Sequence, residues 1–185
     1  MYVIVQNMNN SQFLLILNGP MCAGKSTIAD MYMQRDHMFR GAFDAAKWLI
    51  SKYSVDSGVM HHRETAMKVV FHMVSAAIES GLSVVVDGGF LGYRDRYREL
   101  AEKHNVAFLI LNIEAPLHIL EERYKNRIEH AVSTGNEKIL TSMQGFYERY
   151  QWYLDNNKDP DGVTFDSSIM TPDEIVNETD ILLEQ

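Results

Sequence analysis

The residue types that can do chemistry fall into a few short stretches, and the first of them is the most specific. Gly19-Pro-Met-Cys-Ala-Gly24-Lys25-Ser26 satisfies G-x-x-x-x-G-K-[ST] at every fixed position and follows the apolar run Phe13 to Leu17. A buried strand, a glycine-bearing turn and a helix start are the context in which this pattern cradles phosphate. The glycines allow successive backbone amides to point inward at an anion, and the helix start adds its unpaired N–H groups. The expected nucleotide contacts are Gly19, Met21, Cys22, Ala23, Gly24, Lys25, Ser26 and Thr27. Lys25 would reach the β- and γ-phosphates, and the Ser26 hydroxyl would ligate Mg2+.

Two carboxylates and three arginines complete the candidate set. Asp87 ends the apolar run Leu82-Ser-Val-Val-Val-Asp and precedes Gly88-Gly89. An acid so placed helps hold Mg2+, with a cap for the next turn as the alternative. Asp44 closes the stretch Met38 to Phe43 just before a helical segment. It is either a helix N-cap or the group that orients, and takes the proton from, an acceptor hydroxyl. Arg123 and Arg127 lie four apart and share a helix face. Like charges at that spacing repel unless an anion sits between them, so they are a phosphoryl clamp or a solvated face softened by Glu121 and Glu122. Arg94, just beyond Asp87, is a candidate for phosphate or substrate.

Several chemistries are disfavoured. A single cysteine, Cys22, excludes an intrachain disulfide and any CxxC metal site, and reads as a small loop filler. His61, His62 and His72 lack zinc-ligand spacing. A guanine-reading N-K-x-D would need aspartate where Pro160 stands in Asn157-Lys-Asp-Pro. With 17 Lys plus Arg against 25 Asp plus Glu, the net charge of −8 argues against a polynucleotide partner. No apolar run approaches a membrane span, which suits a cytoplasmic protein.

The elements that must position these residues alternate strand with helix over 185 residues. Strands are expected near 13–17, 38–43, 82–87, 106–113 and 163–165. Helices are expected over 25–35, 44–53, 62–80, 93–104, 116–130 and 138–156, with a last one capped by Thr171. The apolar side of the long third helix is read as Ala66, Val69, Val70, Met73, Ala77 and Ile78, and that of 138–156 as Met143, Tyr147, Tyr150 and Leu154. Residues 1–11 form a tail or an added edge strand, and 55–58 a turn. Residues 12–185 make a single domain, with a lid around 116–142 that loosens at Gly135 and Asn136. Such alternation means an α/β fold whose ligands gather at the carboxyl ends of parallel strands, where Gly19, Asp44 and Asp87 fall.

On these motifs the chain resembles the small P-loop kinases of the nucleoside monophosphate kinase-like superfamily. It is most similar in look to the branch holding zeta toxins, chloramphenicol phosphotransferase and the kinase domain of polynucleotide 5′-kinases. The likeness runs over about residues 13–183 and rests on the phosphate loop, Asp44, VVVDGGF, the helix carrying Arg123 and Arg127, and TFDSSIMTPDEIV. It implies a three-layer α/β/α fold with a five-stranded parallel sheet of order 2-3-1-4-5 and a helical lid. It also implies transfer of the γ-phosphoryl of ATP to an acceptor; a hydroxyl of a small molecule, with Mg2+, is the acceptor expected here, and a monomer or homodimer the expected state. A nucleoside monophosphate kinase, drawing on Arg40, Arg63 or Arg94 for the acceptor phosphate, and a regulatory ATPase without a small acceptor are the alternatives.

Overall fold

The computed structural model describes residues 12–51, 59–88, 92–134 and 142–184. The expectations for 1–11, 55–58, Gly89, Gly135 and Asn136, and for the side chains of His61 and His62, lie outside the described residues. Chain order runs β1 (Phe13–Asn18), α1 (Lys25–Tyr32), β2 (Met38–Ala42), α2 (Phe43–Ser51), α3 (Val59–Glu79), β3 (Ser83–Asp87) and α4 (Arg94–His104). It continues with β4 (Ala107–Glu114), α5 (Leu117–Ser133), α6 (Met143–Asn156), β5 (Val163–Asp166) and α7 (Pro172–Leu183). The described strands form one parallel sheet in the order β2-β3-β1-β4-β5, as expected.

Continuous apolar strands follow from burial on both faces. Successive side chains point to opposite sides, so Leu14, Ile16, Val84 and Val86 enter one core layer, with Ala66, Val70, Val74, Tyr97 and Leu100 from α3 and α4. Leu15, Leu17, Val85 and Leu111 enter the other, with Ile28, Tyr32, Leu120, Tyr124, Phe146 and Ile175 from α1, α5, α6 and α7. Both glycine and side-chain stops act as the sequence implies. Gly81 takes φ +83° after α3, while the Leu82 N–H reaches back to the Ala77 carbonyl at 3.0 Å. At α7 the Thr171 side chain accepts from the Glu174 N–H, and Glu174 accepts from the Thr171 N–H at 2.8 Å, a full capping box.

Four expectations need correction. Helix α1 ends at Tyr32 rather than Arg35, because the Gln34 and Arg35 N–H groups bond three residues back, to Met31 and Tyr32, and unwind it. Helix α2 starts at Phe43, so Asp44 lies inside its first turn and neither closes β2 nor caps the helix. On α3 the buried face is Ala66, Met67, Val70, Val74, Ala77 and Ile78, leaving Val69 and Met73 exposed at 40% and 48%. On α6 the buried residues are Phe146 and Tyr153, with Met143 and Tyr150 packed beside that layer. Tyr147 and Leu154 are exposed instead. In both helices the face that the neighbouring elements cover is rotated away from the one that apolar spacing selects.

Candidate active site

The site is built where β1 runs out. Asn18 is buried, and the chain then turns at Gly19, whose missing side chain is a packing requirement: a Cβ there would meet the Ile113 carbonyl oxygen of neighbouring β4 at 2.1 Å. Left-handed Cys22 (φ +65°) and Gly24 (φ +101°) curl the loop into α1, which begins at Lys25. Ser26 and Thr27 are exposed at the mouth of this turn.

Lys25 folds back over the loop, its Nζ donating to the Gly19 carbonyl at 2.8 Å and the Pro20 carbonyl at 2.6 Å. Desolvation pulls its pKa below the ordinary lysine value, opposed chiefly by the carboxylates of Asp87 and then Asp44. The ammonium thus lies in the combined field of both predicted acids, which come from β3 and α2. Asp87 is held in turn by Arg40 of β2, which also pairs with Asp30 of α1. Arg40 bonds one carboxylate oxygen of Asp87, Oδ2.

Helix α5 brings its arginines to the other side of the loop. Arg123 donates to the Cys22 carbonyl at 3.3 Å, to Ser167 Oγ at 2.9 Å and to the Ser167 carbonyl at 2.7 Å. It therefore ties the phosphate loop to the β5–α7 connection. Between them opens a pocket of about 270 Å³ walled by Ala23, Thr27, Ile28, Ile113, Met170 and Ile175. Arg127 acts on the Cys22 thiol, whose pKa is pushed up by desolvation against the pull of Arg127, Lys25 and Arg123. A thiol held protonated fits the loop-filler reading of Cys22.

Arg94 is engaged elsewhere. Its Nη1 bonds the Asp159 carboxylate at 3.2 Å, and Asp159 is buried with a side-chain exposure of 2%. Sequence reading missed the cluster this pair belongs to. Asn18 and Asn112, opposite each other on β1 and β4, share a 2.8 Å hydrogen bond. Asn18 Nδ2 also donates to the Asn157 carbonyl at 2.6 Å, and Asn112 Nδ2 to the Asp159 carbonyl at 2.7 Å. The Asn-Lys-Asp-Pro segment is thus strapped to the strand that feeds the phosphate loop. Two asparagines interrupting apolar strands were the available signal, because a buried amide demands partners.

A family model described as an AAA domain, AAA_33, matches residues 14–150. The chain belongs to the AAA_33 family. Among solved structures, this AAA_33 chain is similar to a protein of Chloroflexus aurantiacus described as a kinase, at 17% identity and a TM-score of 0.68, over 93% of this chain and 98% of that one. It is similar to the Mycobacterium tuberculosis APS kinase CysC bound to AMPPNP and APS (15% identity, TM-score 0.62, 96% and 100% of the two chains). A third likeness is the Deinococcus radiodurans tunicamycin resistance protein (13% identity, TM-score 0.62, 92% and 95%). No curated protein matches the chain. At these identities the likenesses establish the fold, a five-stranded parallel sheet of P-loop kinase type with helices on both sides.

Proposed function

We propose that this AAA_33 protein is an ATP-dependent phosphotransferase that moves the γ-phosphoryl of ATP to a hydroxyl of a small molecule. One observation carries the reading: the lysine of the phosphate loop folds over that loop's own carbonyls, Asp87 ends the strand paired beside it, and Arg123 of α5 bonds the loop's Cys22 carbonyl. That is an electrostatic frame for charge moving between two oxygens.

In this reading the amides of Gly19 to Gly24, with Met21, Cys22, Ala23 and Thr27, surround the phosphates, and the adenine occupies the pocket beside Met170 and Ile175. Lys25 leaves the carbonyls of Gly19 and Pro20 for the β- and γ-phosphates. Asp44, exposed at the start of α2, aligns the acceptor hydroxyl. The acceptor oxygen bonds to the γ-phosphorus as the bond to the bridging oxygen breaks. The hydroxyl proton passes to Asp44 and ADP leaves. Arg123 and Arg127 stabilise charge in transit, which requires Arg123 to exchange Ser167 for phosphate oxygen.

The oxygen donors available suit Mg2+: the Ser26 hydroxyl is exposed, and among the described residues only Arg40 engages the Asp87 carboxylate, through Oδ2, so that the carboxylate would act directly or through water. When bound, Mg2+ would neutralise phosphate charge, with Ser26 and Asp87 as the residues that would hold it. Helix α5, the described part of the lid expected around 116–142, covers the phosphate loop and helps exclude water. A cytoplasmic monomer or homodimer acting on a small acceptor is the setting we assign; among the described residues no helix is long and apolar enough to cross a membrane.

The test is a screen of purified protein with ATP and Mg2+ against pooled nucleosides, nucleotides, sugars, aminoglycosides and 5′-hydroxyl oligonucleotides, with products detected by mass. Loss of product in both Lys25→Ala and Asp44→Asn is expected. A product lost only in Lys25→Ala removes Asp44 from the mechanism, and no product from any pool despite tight ATP binding favours a regulatory ATPase.

A further inference from the structure

Three arginines precede or flank the acceptor side of the chain, and two of them are occupied. Arg40 is paired with Asp30 and Asp87, and Arg94 with Asp159. Arg63 is different. It is half-buried on α3, its guanidinium carbon lies 4.4 Å from the ring centroid of Trp152 on α6, and among the described residues no carboxylate pairs with it. Burial alone acts on it, drawing its pKa below the ordinary arginine value.

Topology places this pair beside the phosphate loop's end of the sheet. Helix α3 leads through Gly81 into β3, so its first turns, where Arg63 lies, stand at the carboxyl edge of the strands. Trp152 is five residues before Asn157, about 8 Å along a helix, and Asn157 is bonded to Asn18, the last residue of β1. Asp44 lies in the first turn of α2, which follows β2 directly at the same edge.

We infer that Arg63, backed by the Trp152 ring, is an anion-binding post of the acceptor site, so that the acceptor carries a phosphate, sulfate or carboxylate group as well as the hydroxyl that is phosphorylated. This rests on the phosphotransferase reading above. Attraction to an aromatic face offsets only part of the cost of removing a guanidinium from water. A bound anion completes the balance, and guanidinium geometry matches these oxyanions in a forked pair of hydrogen bonds. On a chain of net charge −8, a local cation of this kind favours the approach of an anionic acceptor. The anionic group would sit at Arg63 and the reacting hydroxyl at Asp44.

The chain holds two tryptophans, so Trp48→Phe leaves Trp152 as the single reporter. With the phosphate loop filled by AMPPNP and Mg2+, this protein is titrated with sodium sulfate and with inorganic phosphate while tryptophan emission is followed. A saturable change is expected, weakened at least about tenfold by Arg63→Gln and by less in Arg63→Lys, which keeps the charge but loses the forked geometry, with circular dichroism confirming that both variants fold. A change that never saturates, or one equal in Arg63→Gln, overturns the inference, since plain packing against Trp152 predicts that result. A kinetic arm compares matched hydroxyl compounds with and without an anionic group: AMP and adenosine, glycerol 3-phosphate and glycerol, glycolate and its amide. The charged partners should be favoured at least about tenfold in kcat/KM, and Arg63→Gln should erase this through KM while kcat stays within about threefold. Equal use of neutral partners overturns the inference and leaves the kinase reading standing. A saturable, Arg63-dependent sulfate response with no transfer to any acceptor does the reverse.

Discussion

Replacing Gly19 by alanine separates the steric demand of the phosphate loop from its chemistry. The added Cβ would lie 2.1 Å from the Ile113 carbonyl oxygen, a backbone atom in a central strand, and the residue sits at φ +146°. A backbone held in a glycine-only region costs about 1–3 kcal/mol, and overpacking against a fixed core costs about 1–3 kcal/mol. Together they predict a loss of about 2–6 kcal/mol for Gly19→Ala. The control is Gly24→Ala, where φ is +101° but nothing lies within 4 Å of the new Cβ. Only the backbone contribution remains there, about 1–2 kcal/mol. Urea unfolding of the nucleotide-free variants measures both. With a slope of about 1–3 kcal/mol per molar, the two midpoints should differ by about 1 M, Gly19→Ala being the lower. Both should lose ATP affinity, since each disturbs the amide cradle. Equal unfolding midpoints would refute the close approach of Gly19 to β4, and with it the reason for glycine at that position.

Three further expectations concern other parts of the structure. Desolvation pushes the Cys22 thiol pKa above the ordinary cysteine value, so alkylation by iodoacetamide should be slower at pH 7 than that of an exposed thiol and should accelerate only in more alkaline solution than an exposed thiol requires. Bound ATP should protect it, and fast alkylation at pH 7 would contradict the burial argument. Arg94→Gln leaves the buried Asp159 carboxylate without its guanidinium partner; a stability loss of about 1–3 kcal/mol is expected, measured by urea unfolding, and an unchanged midpoint would argue that this arginine is free for substrate. Thr171→Ala removes the side-chain acceptor of the α7 capping box, which should lower stability by about 1 kcal/mol and weaken ATP binding through the adjoining Met170–Ile175 wall of the pocket, as calorimetry would detect.

The phosphate loop, the strands and the place of Asp87 were legible because each rests on local pattern: glycines at fixed offsets, apolar runs, and an acid at a strand end; the strand order came only with the family resemblance that these motifs carry. Asp44 was not legible as part of α2, since the switch from β2 to helix at Phe43 leaves no Gly, Pro or polar cap to mark it. The buried faces of α3 and α6 were misjudged by one step because both helices carry apolar residues all round, and only the sheet decides which side is covered. Long-range pairs were out of reach. Arg40 with Asp87, Asn18 with Asn112 and Arg63 with Trp152 join residues 47, 94 and 89 positions apart, and no periodicity links them. Arg94 shows the opposite failure. It stands near the expected site in sequence, yet its guanidinium meets Asp159, a residue read as the remnant of an absent guanine motif.

The central claim is that the γ-phosphoryl group leaves ATP for an organic hydroxyl rather than for water. The most direct measurement supplies [γ-32P]ATP with Mg2+ and the pooled acceptors, and divides the label between inorganic phosphate and organic product. Most of the label should enter an organic product, and Lys25→Ala should abolish this transfer. Label appearing in inorganic phosphate at a rate no acceptor alters would contradict the claim, and would make the chain an ATPase built on a kinase fold.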